Sequence, residues 1–329
     1  MLPIDCKKLG IVVIGRNEGM RLKNCLFSVV NPAMSIVYVD SGSTDDSINT
    51  AKKQEVSVVE LDMSIPFTAA RARNEGIRCL RELAPDIDYI QFVDGDCEIA
   101  KDWLVQAVNF IDQHPDVAVV YGRRRERHPE HSIYNLMCDI EWNVPLGQAK
   151  FCGGDALMRV DALTQVGGYR SSLIAGEEPE LCVRLRALNW KIWRIDVEMV
   201  LHDAAMTKFS QWWRRSVRTG HAFAQGAYLH GVAPERLWVR ENNRNWFWGL
   251  GLPLCILLTT MFCGTFWLGL ALIYPAQIIH LALRDRESLP APWWRALFLL
   301  LGKFPEMLGQ SKFVYSRIRG NATKIIEYK

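Results

Sequence analysis

Several familiar signatures are missing from this chain of 329 residues. Its nine cysteines are scattered, contain no C-x-x-C pair and are odd in number. That disfavours a disulfide framework or a structural zinc site and points to a reducing compartment. No long like-charge tail exists, and 39 Lys and Arg against 36 Asp and Glu leave a net charge of +3. This is too near neutral to indicate a nucleic-acid partner. The opening stretch MLPIDCKKLGIVVIG lacks the apolar core and cleavage site of a signal peptide. The N-terminal part is therefore expected to stay in the cytoplasm. After the first apolar run the chain reads Gly15-Arg16-Asn17-Glu18, not Gly-x-Gly-x-x-Gly, and no Walker A loop occurs. Dinucleotide binders and P-loop proteins are set aside. Internal repeats and low-complexity segments are absent as well.

What is present is uneven. The length allows one large domain with an appendage, or two modest domains. β-rich runs at Ile11–Ile14, Ile36–Val39, Val56–Leu61 and Tyr89–Val93 are separated by helix-like stretches at Gly19–Val30, Thr44–Gln54, Ala69–Leu83 and Asp102–His114. Alternation of this kind predicts an α/β fold, a parallel sheet covered on both faces. Such sheets place ligands beyond the carboxyl ends of their strands. Polar residues cluster there: Asn17-Glu18, Asp40 to Asp45, and Asp94-Gly95-Asp96. A fifth strand is predicted at Val117–Gly122, a helix at Glu177–Asn189 and a returning strand at Lys191–Ile195. Charge density marks Arg123–His131 as a candidate lid.

The last third carries an uncharged run from Trp246 to Ile279. It is long enough to cross a hydrocarbon core of about 30 Å. Arg236, Arg240 and Arg244 precede it, and Arg284 and Arg286 follow. Basic residues on both flanks favour two cytoplasmic ends, hence a hairpin or re-entrant pair folding near Cys263-Gly264. The following PAPWWRALFLLLGKFPEMLG fits a helix lying in the membrane interface. The chain thus divides into a globular domain (1–205), aromatic and basic linker helices (206–245), a membrane segment (246–284), and an interfacial helix with a basic tail (285–329).

The sharpest chemical signal is Asp94-Gly95-Asp96. Two carboxylates at i and i+2, behind a buried strand, can face one divalent cation bound to a diphosphate. By itself the tripeptide is also an ordinary acidic turn. Other motifs agree with it in order and spacing. They are Asn17-Glu18, Val39-Asp-Ser-Gly-Ser-Thr-Asp45, Ala72-Arg-Asn-Glu-Gly76, Gly153-Gly154 with Val166-Gly-Gly-Tyr169, and Gly176-Glu-Glu-Pro-Glu-Leu181. With them the chain resembles the family 2 glycosyltransferases over about residues 9–205.

That resemblance implies a GT-A type nucleotide-binding sheet flanked by helices, with a C-terminal helical membrane-associated segment. It also implies an inverting transfer from a nucleotide diphosphate sugar, usually a UDP-sugar, using Mn²⁺ or Mg²⁺. Asn17, Glu18, Asp40, Arg73, Asp94, Gly154 and Asp155 fall at nucleotide-sugar-binding positions, with Asp40 at the acid that meets the nucleobase. Asp96 falls at the metal ligand. The family's general base falls on Glu178 or its neighbour Glu177, since the pair reads Glu-Glu here. His202 matches a further metal or diphosphate ligand, or is an ordinary satisfied histidine. Gln211, Trp213 and Arg214 resemble part of a Q-x-x-R-W motif that holds acceptor or diphosphate, and equally suit an interfacial helix. The expected acceptor is a membrane-borne, lipid-linked glycan for cell-surface polysaccharide, with the catalytic domain on the cytoplasmic side of the inner membrane. Two alternatives stay open: transfer to a polyprenyl phosphate, and an inactive sugar-nucleotide-binding scaffold.

Overall fold

A computed structural model describes residues 8–29, 31, 34–287 and 289–320. Cys6, Val30 and the basic tail beyond residue 320 lie outside them. The chain forms two units: residues 1–128 with 141–205, and residues 129–140 with 206–329.

The first unit opens with β1 (Leu9–Gly15), α1 (Met20–Val29), β2 (Ser35–Asp40), α2 (Ser47–Lys53), β3 (Ser57–Glu60), α3 (Ala69–Leu83) and β4 (Tyr89–Asp94). β1 is apolar at nearly every position and buried along almost its whole length. It is a central strand paired in parallel with β2 on one side and β4 on the other. α3 starts where Thr68 Oγ1 accepts a hydrogen bond from Arg71 N, satisfying one orphan amide of the first turn. Its inner face packs onto β1 and β2.

The sheet then departs from the expected all-parallel form. After β5 (Cys97–Ile99), α4 (Trp103–Gln113) and β6 (Val117–Glu126) come α5 (Ile133–Glu141), β7 (Gly147–Ala149), β8 (Ala156–Arg159), α6 (Val160–Gln165), α7 (Glu177–Ala187) and β9 (Lys191–His202). The strand order is β3-β2-β1-β4-β8-β6-β9-β5, with β7 also on β9. β8 runs antiparallel to both β4 and β6. The sheet is therefore mixed. β1 leads outward to β2 and β3, and β4 returns to the other side of β1. That reversal opens a crevice at the carboxyl ends of β1 and β4.

Two further expectations are corrected. Residues 123–126 are no lid: they continue β6, whose pairing with β9 carries register shifts at Tyr121/Arg123 and Arg123/Arg124. The returning strand does not stop at Ile195 but runs on to His202.

The second unit comprises most of α5 with α8 (Phe209–His230), α9 (Val239–Trp246), α10 (Leu252–Cys263), α11 (Ile273–Arg284), α12 (Pro292–Leu301) and α13 (Lys303–Ile318). Met206 ties α5 in: its N donates to Asn135 Oδ1 at 3.1 Å and its O accepts from Ser132 Oγ at 2.6 Å. α8 and α13 cross closely at glycines. A β-carbon on Gly220 would fall 1.9 Å from Glu306 O, and one on Gly309 2.0 Å from Val217 O. Two continuous helical stretches, Val239–Cys263 and Thr265–Arg284, are long and apolar enough to cross a membrane. They meet at Gly264, whose φ of 102° suits glycine alone. Tyr274 Oη donates to Trp248 O at 2.7 Å, so the second stretch doubles back along the first. Leu257, Met261, Phe262, Phe266 and Leu272 all point outward.

Candidate active site

The turn Asp94-Gly95-Asp96 is fixed from both sides. Gly95 N donates to Ile14 O at 2.8 Å, and Asp94 N donates to Asp155 Oδ1 at 2.9 Å. Immediately after it, β5 pairs with the end of β9 and sets Cys97 opposite His202. Asp203 N donates to Asp96 O at 3.1 Å. These links bring two residues 106 positions apart together: His202 Nε2 lies 3.3 Å from Asp96 Oδ2. On the other edge of the ring, His202 Nδ1 lies 3.4 Å from Glu126 Oε2. Trp142 meets the ring edge-on, with centroids 4.8 Å apart.

This arrangement fits a cation. Burial, and then the Arg124 guanidinium, push the His202 pKa below the ordinary histidine value. A neutral imidazole carries one N–H yet here faces two carboxylates. One ring nitrogen therefore turns a lone pair toward a carboxylate oxygen, a contact that a divalent ion resolves. Two ligand atoms at right angles, each about 2.1 Å from Mg²⁺ or Mn²⁺, stand about 3 Å apart. Asp96, Cys97 and His202 offer ligand atoms within 4.8 Å of one another, as do Asp94, Cys97 and Asp155.

Arg73 is the hub of a second cluster. Its Nη2 donates to Asp94 Oδ1 at 3.0 Å, and its Nη1 lies 3.0 Å from Glu177 Oε1 and 2.8 Å from Glu178 Oε1. The side chain is only 3% exposed. Burial opposes its charge, but Glu178, Asp94 and Glu177 outweigh that and hold it firmly protonated. Glu178 is pushed up to about 7 by burial and then by Glu177, with Arg73 opposing. Both glutamates stand at the start of α7, whose dipole favours negative charge. Gly154 is wedged against this cluster: a β-carbon there would fall 2.6 Å from Arg73 Nη2 and 2.8 Å from Asp94 Oδ2.

The remaining expected residues sit as follows. Asp155 is fully buried behind Asp94, where it pairs with Arg124 Nη1 at 3.3 Å. Burial raises its pKa, which Arg124 opposes. Asp40 accepts from Tyr38 Oη, Gly42 N and Ser43 N at 2.7–2.9 Å, so its carboxylate shapes the loop after β2. Asn17, at φ 56°, links the loop after β1 to that loop: its N donates to Ser43 Oγ and its Oδ1 accepts from Thr44 N. Glu18 pairs with Arg21 at 2.8 Å. Gln211, Trp213 and Arg214 belong to the second unit. Gln211 Oε1 caps the start of α8 by accepting from Thr207 N and Lys208 N. Trp213 packs on Phe209, and Arg214 faces outward.

A cavity of about 470 Å³ adjoins the acids, lined among others by Arg124, Trp142, Phe151, Gly153, Asp155 and Pro179. Arg124 stacks over Trp142 at 4.8 Å and reaches Asp94 Oδ2 at 3.4 Å. Sequence reasoning missed Arg124, Glu126 and Trp142. The run Arg123-Arg-Arg-Glu-Arg127 looks like a solvated surface, and only knowledge of the register shifts in β6 would turn Arg124 and Glu126 inward.

Taken together, a mixed sheet with an acidic turn at the reversal of strand order is the GT-A type of glycosyltransferase fold. Residues 10–167 match the family model "Glycosyl transferase family 2", so the chain carries a domain of that family. The match stops before Glu177, Glu178 and His202. No curated protein sequence matches the chain. Among solved structures, a mannosyltransferase from Pyrobaculum calidifontis in complex with GDP-Man and Mn²⁺ superposes with a TM-score of 0.66 at 16% identity. That alignment covers 94% of this chain and 88% of the other. Residues 1–349 of S. aureus TarS give 0.52 at 14% identity over 95% and 92%. Glucosyl-3-phosphoglycerate synthase from Mycobacterium tuberculosis, with Mn²⁺, UDP and glucosyl-3-phosphoglycerate, gives 0.50 at 16% over 68% and 80%. At such identities the likeness establishes the fold.

Proposed function

We propose that this chain is an inverting, metal-dependent glycosyltransferase. It moves a sugar from a nucleoside diphosphate to a lipid-linked glycan acceptor on the cytoplasmic face of the inner membrane. The observation that carries the reading is the convergence of Asp94, Asp96, His202 and the Glu177-Glu178 pair at one edge of the sheet, linked through Arg73 and Arg124. GDP-Man with Mn²⁺ in the Pyrobaculum structure, and UDP with Mn²⁺ in the Mycobacterium one, support the class of donor and metal. The outward-facing apolar helices of the second unit support a membrane-borne acceptor.

In this reading Asp96 and His202 hold Mn²⁺ or Mg²⁺, which supplies neutralising charge for the departing diphosphate. Glu178 takes the proton of the acceptor hydroxyl onto its carboxylate, a role that suits a group near 7. Arg73 keeps that carboxylate in place beside Asp94. Asn17, Glu18 and Asp40 shape the loops that receive the nucleoside. Trp142 and Phe151 offer apolar faces for a sugar in the adjoining cavity. The flanking arginines favour a cytoplasmic site.

The test is a thermal-shift panel of nucleotide sugars with and without Mn²⁺, followed by transfer of labelled sugar from whichever donor stabilises the protein. Loss of transfer in EDTA and its return with Mn²⁺ are expected. Donor binding without turnover on any acceptor would leave a sugar-nucleotide scaffold instead.

A further inference from the structure

Glu126 is a costly residue to bury, since an enclosed carboxylate loses its hydration. Its side chain is nevertheless fully enclosed at the end of β6, opposite His202 in the parallel pairing with β9. The oxygen that faces His202 Nδ1 at 3.4 Å also accepts from Ala204 N at 3.0 Å. Its other oxygen accepts from His128 N at 3.3 Å. The carboxylate is thus anchored by two backbone amides, one just beyond its own strand and one just beyond the imidazole's. Trp142 packs T-shaped against the same imidazole.

We propose that Glu126 is the positioning residue of the cation site: it takes the Nδ1–H of His202 and thereby turns the Nε2 lone pair toward the ion beside Asp96. This rests on the metal reading given above. A histidine ligand works only in the tautomer that leaves its ligating nitrogen unprotonated, and the hydrogen bond at the other nitrogen selects that tautomer. Glu126 supplies that bond from a fixed place in the sheet. It does not touch the reacting atoms. If it served only to close the turn to Ala204, the cation would not sense its replacement.

The experiment uses the full chain, carrying ¹⁵N-histidine, titrated with Mn²⁺ alone and then with UDP. Affinity is read from the free-ion paramagnetic signal, and ligation from the pulsed-resonance coupling of nitrogen to bound Mn²⁺. Wild type should show a directly bound histidine nitrogen that His202→Ala removes. Glu126→Ala should lose that coupling and bind Mn²⁺ about 10–100-fold more weakly. Glu126→Gln keeps an acceptor and the backbone anchors. It should fold like wild type and retain the coupling, yet still bind Mn²⁺ several-fold more weakly, which decides the matter even if the alanine variant does not fold. Wild-type coupling and affinity in both Glu126 variants, or in Glu126→Gln alone, would overturn the role of Glu126 and leave the metal reading standing. A wild type that binds Mn²⁺ without any histidine coupling would also overturn it. A wild type that binds no Mn²⁺ under either condition would remove the metal reading itself and the proposal with it.

Discussion

Arg73 holds Glu178 at 2.8 Å while the other arm of the same guanidinium holds Asp94 at 3.0 Å. Three carboxylates meet at this one buried cation, and Asp94 shares Arg124 as well. Arg73→Met should destabilise the fold by about 3–5 kcal/mol, the range for breaking a buried ion pair from one side. It also removes the largest influence that lowers Glu178, so the base should titrate higher than it does beside Arg73. Chemical denaturation and a pH–rate profile of any folded variant check both effects.

Glu178 gives a pH dependence of definite sign. A base pushed up to about 7 must lose its proton to act, so transfer should rise with pH and level off above about 7. Stability runs the other way. The unfolded state releases this proton near the ordinary value of 4.5, so the contribution is full below that pH and is lost as pH rises through about 7. The melting midpoint of Glu178→Gln should therefore fall less between pH 5 and 8 than that of wild type. Its turnover should drop about 10²–10⁴-fold. Turnover near wild type would move the acceptor to one already ionised, such as a polyprenyl phosphate.

Gly154→Ala places a methyl group between Arg73 and Asp94, at 2.6 and 2.8 Å. Both groups must shift, and a buried ion pair absorbs little displacement. We expect activity to fall at least tenfold with a loss of about 1–3 kcal/mol, the usual cost of overpacking. Parallel assays of turnover and urea midpoint separate the two effects.

The helical pair around Gly264 carries its own probe. Backbone N–H groups at the apex would be unsatisfied in hydrocarbon, so under the proposed membrane reading the apex is expected at the far interface. The five residues Phe247–Gly251 and the twelve of Leu252–Cys263 rise roughly 25 Å at about 1.5 Å each, close to a membrane's apolar thickness. Cys263 is exposed beside the turn, and Cys255 is exposed about two turns earlier on the same apolar helix. Cys79 is half-buried, and Cys25, Cys97, Cys138, Cys152 and Cys182 are buried. A membrane-impermeant maleimide should label Cys263 from the side opposite the catalytic unit, and Cys263→Ser should abolish that labelling. Labelling of Cys263 only from the catalytic side would make the pair re-entrant.

The sequence was most legible where a single local cause dominates. α3 begins and ends as its apolar spacing predicts, because Thr68 caps it and its apolar face meets β1 and β2. β1 declares itself by a nearly unbroken apolar run, and β4 by one interrupted only at Gln91. β8 did not, since four residues, Ala156–Arg159, carry no periodicity that tells a reversed strand from a turn. At the site, Asp94 and Asp96 stood out because they close a buried strand. Arg124 and Glu126 hid within a charged run, and their inward turn comes from irregular pairing with β9, a tertiary effect. Asp155 both accepts from Asp94 N and lines the adjoining cavity, a double placement that spacing alone does not reveal.

The detour of residues 129–140 into the helical unit has a practical outcome. Tyr134 rests against Trp212 and Phe298, with ring centroids 6.5 and 5.6 Å apart. A fragment stopping at residue 205 would keep every strand yet strip α5 of these neighbours, exposing a sticky apolar face mid-chain. Anyone trimming the protein to make it easier to handle should expect clumping from that cut. Detergent-solubilised full-length material is the safer starting point.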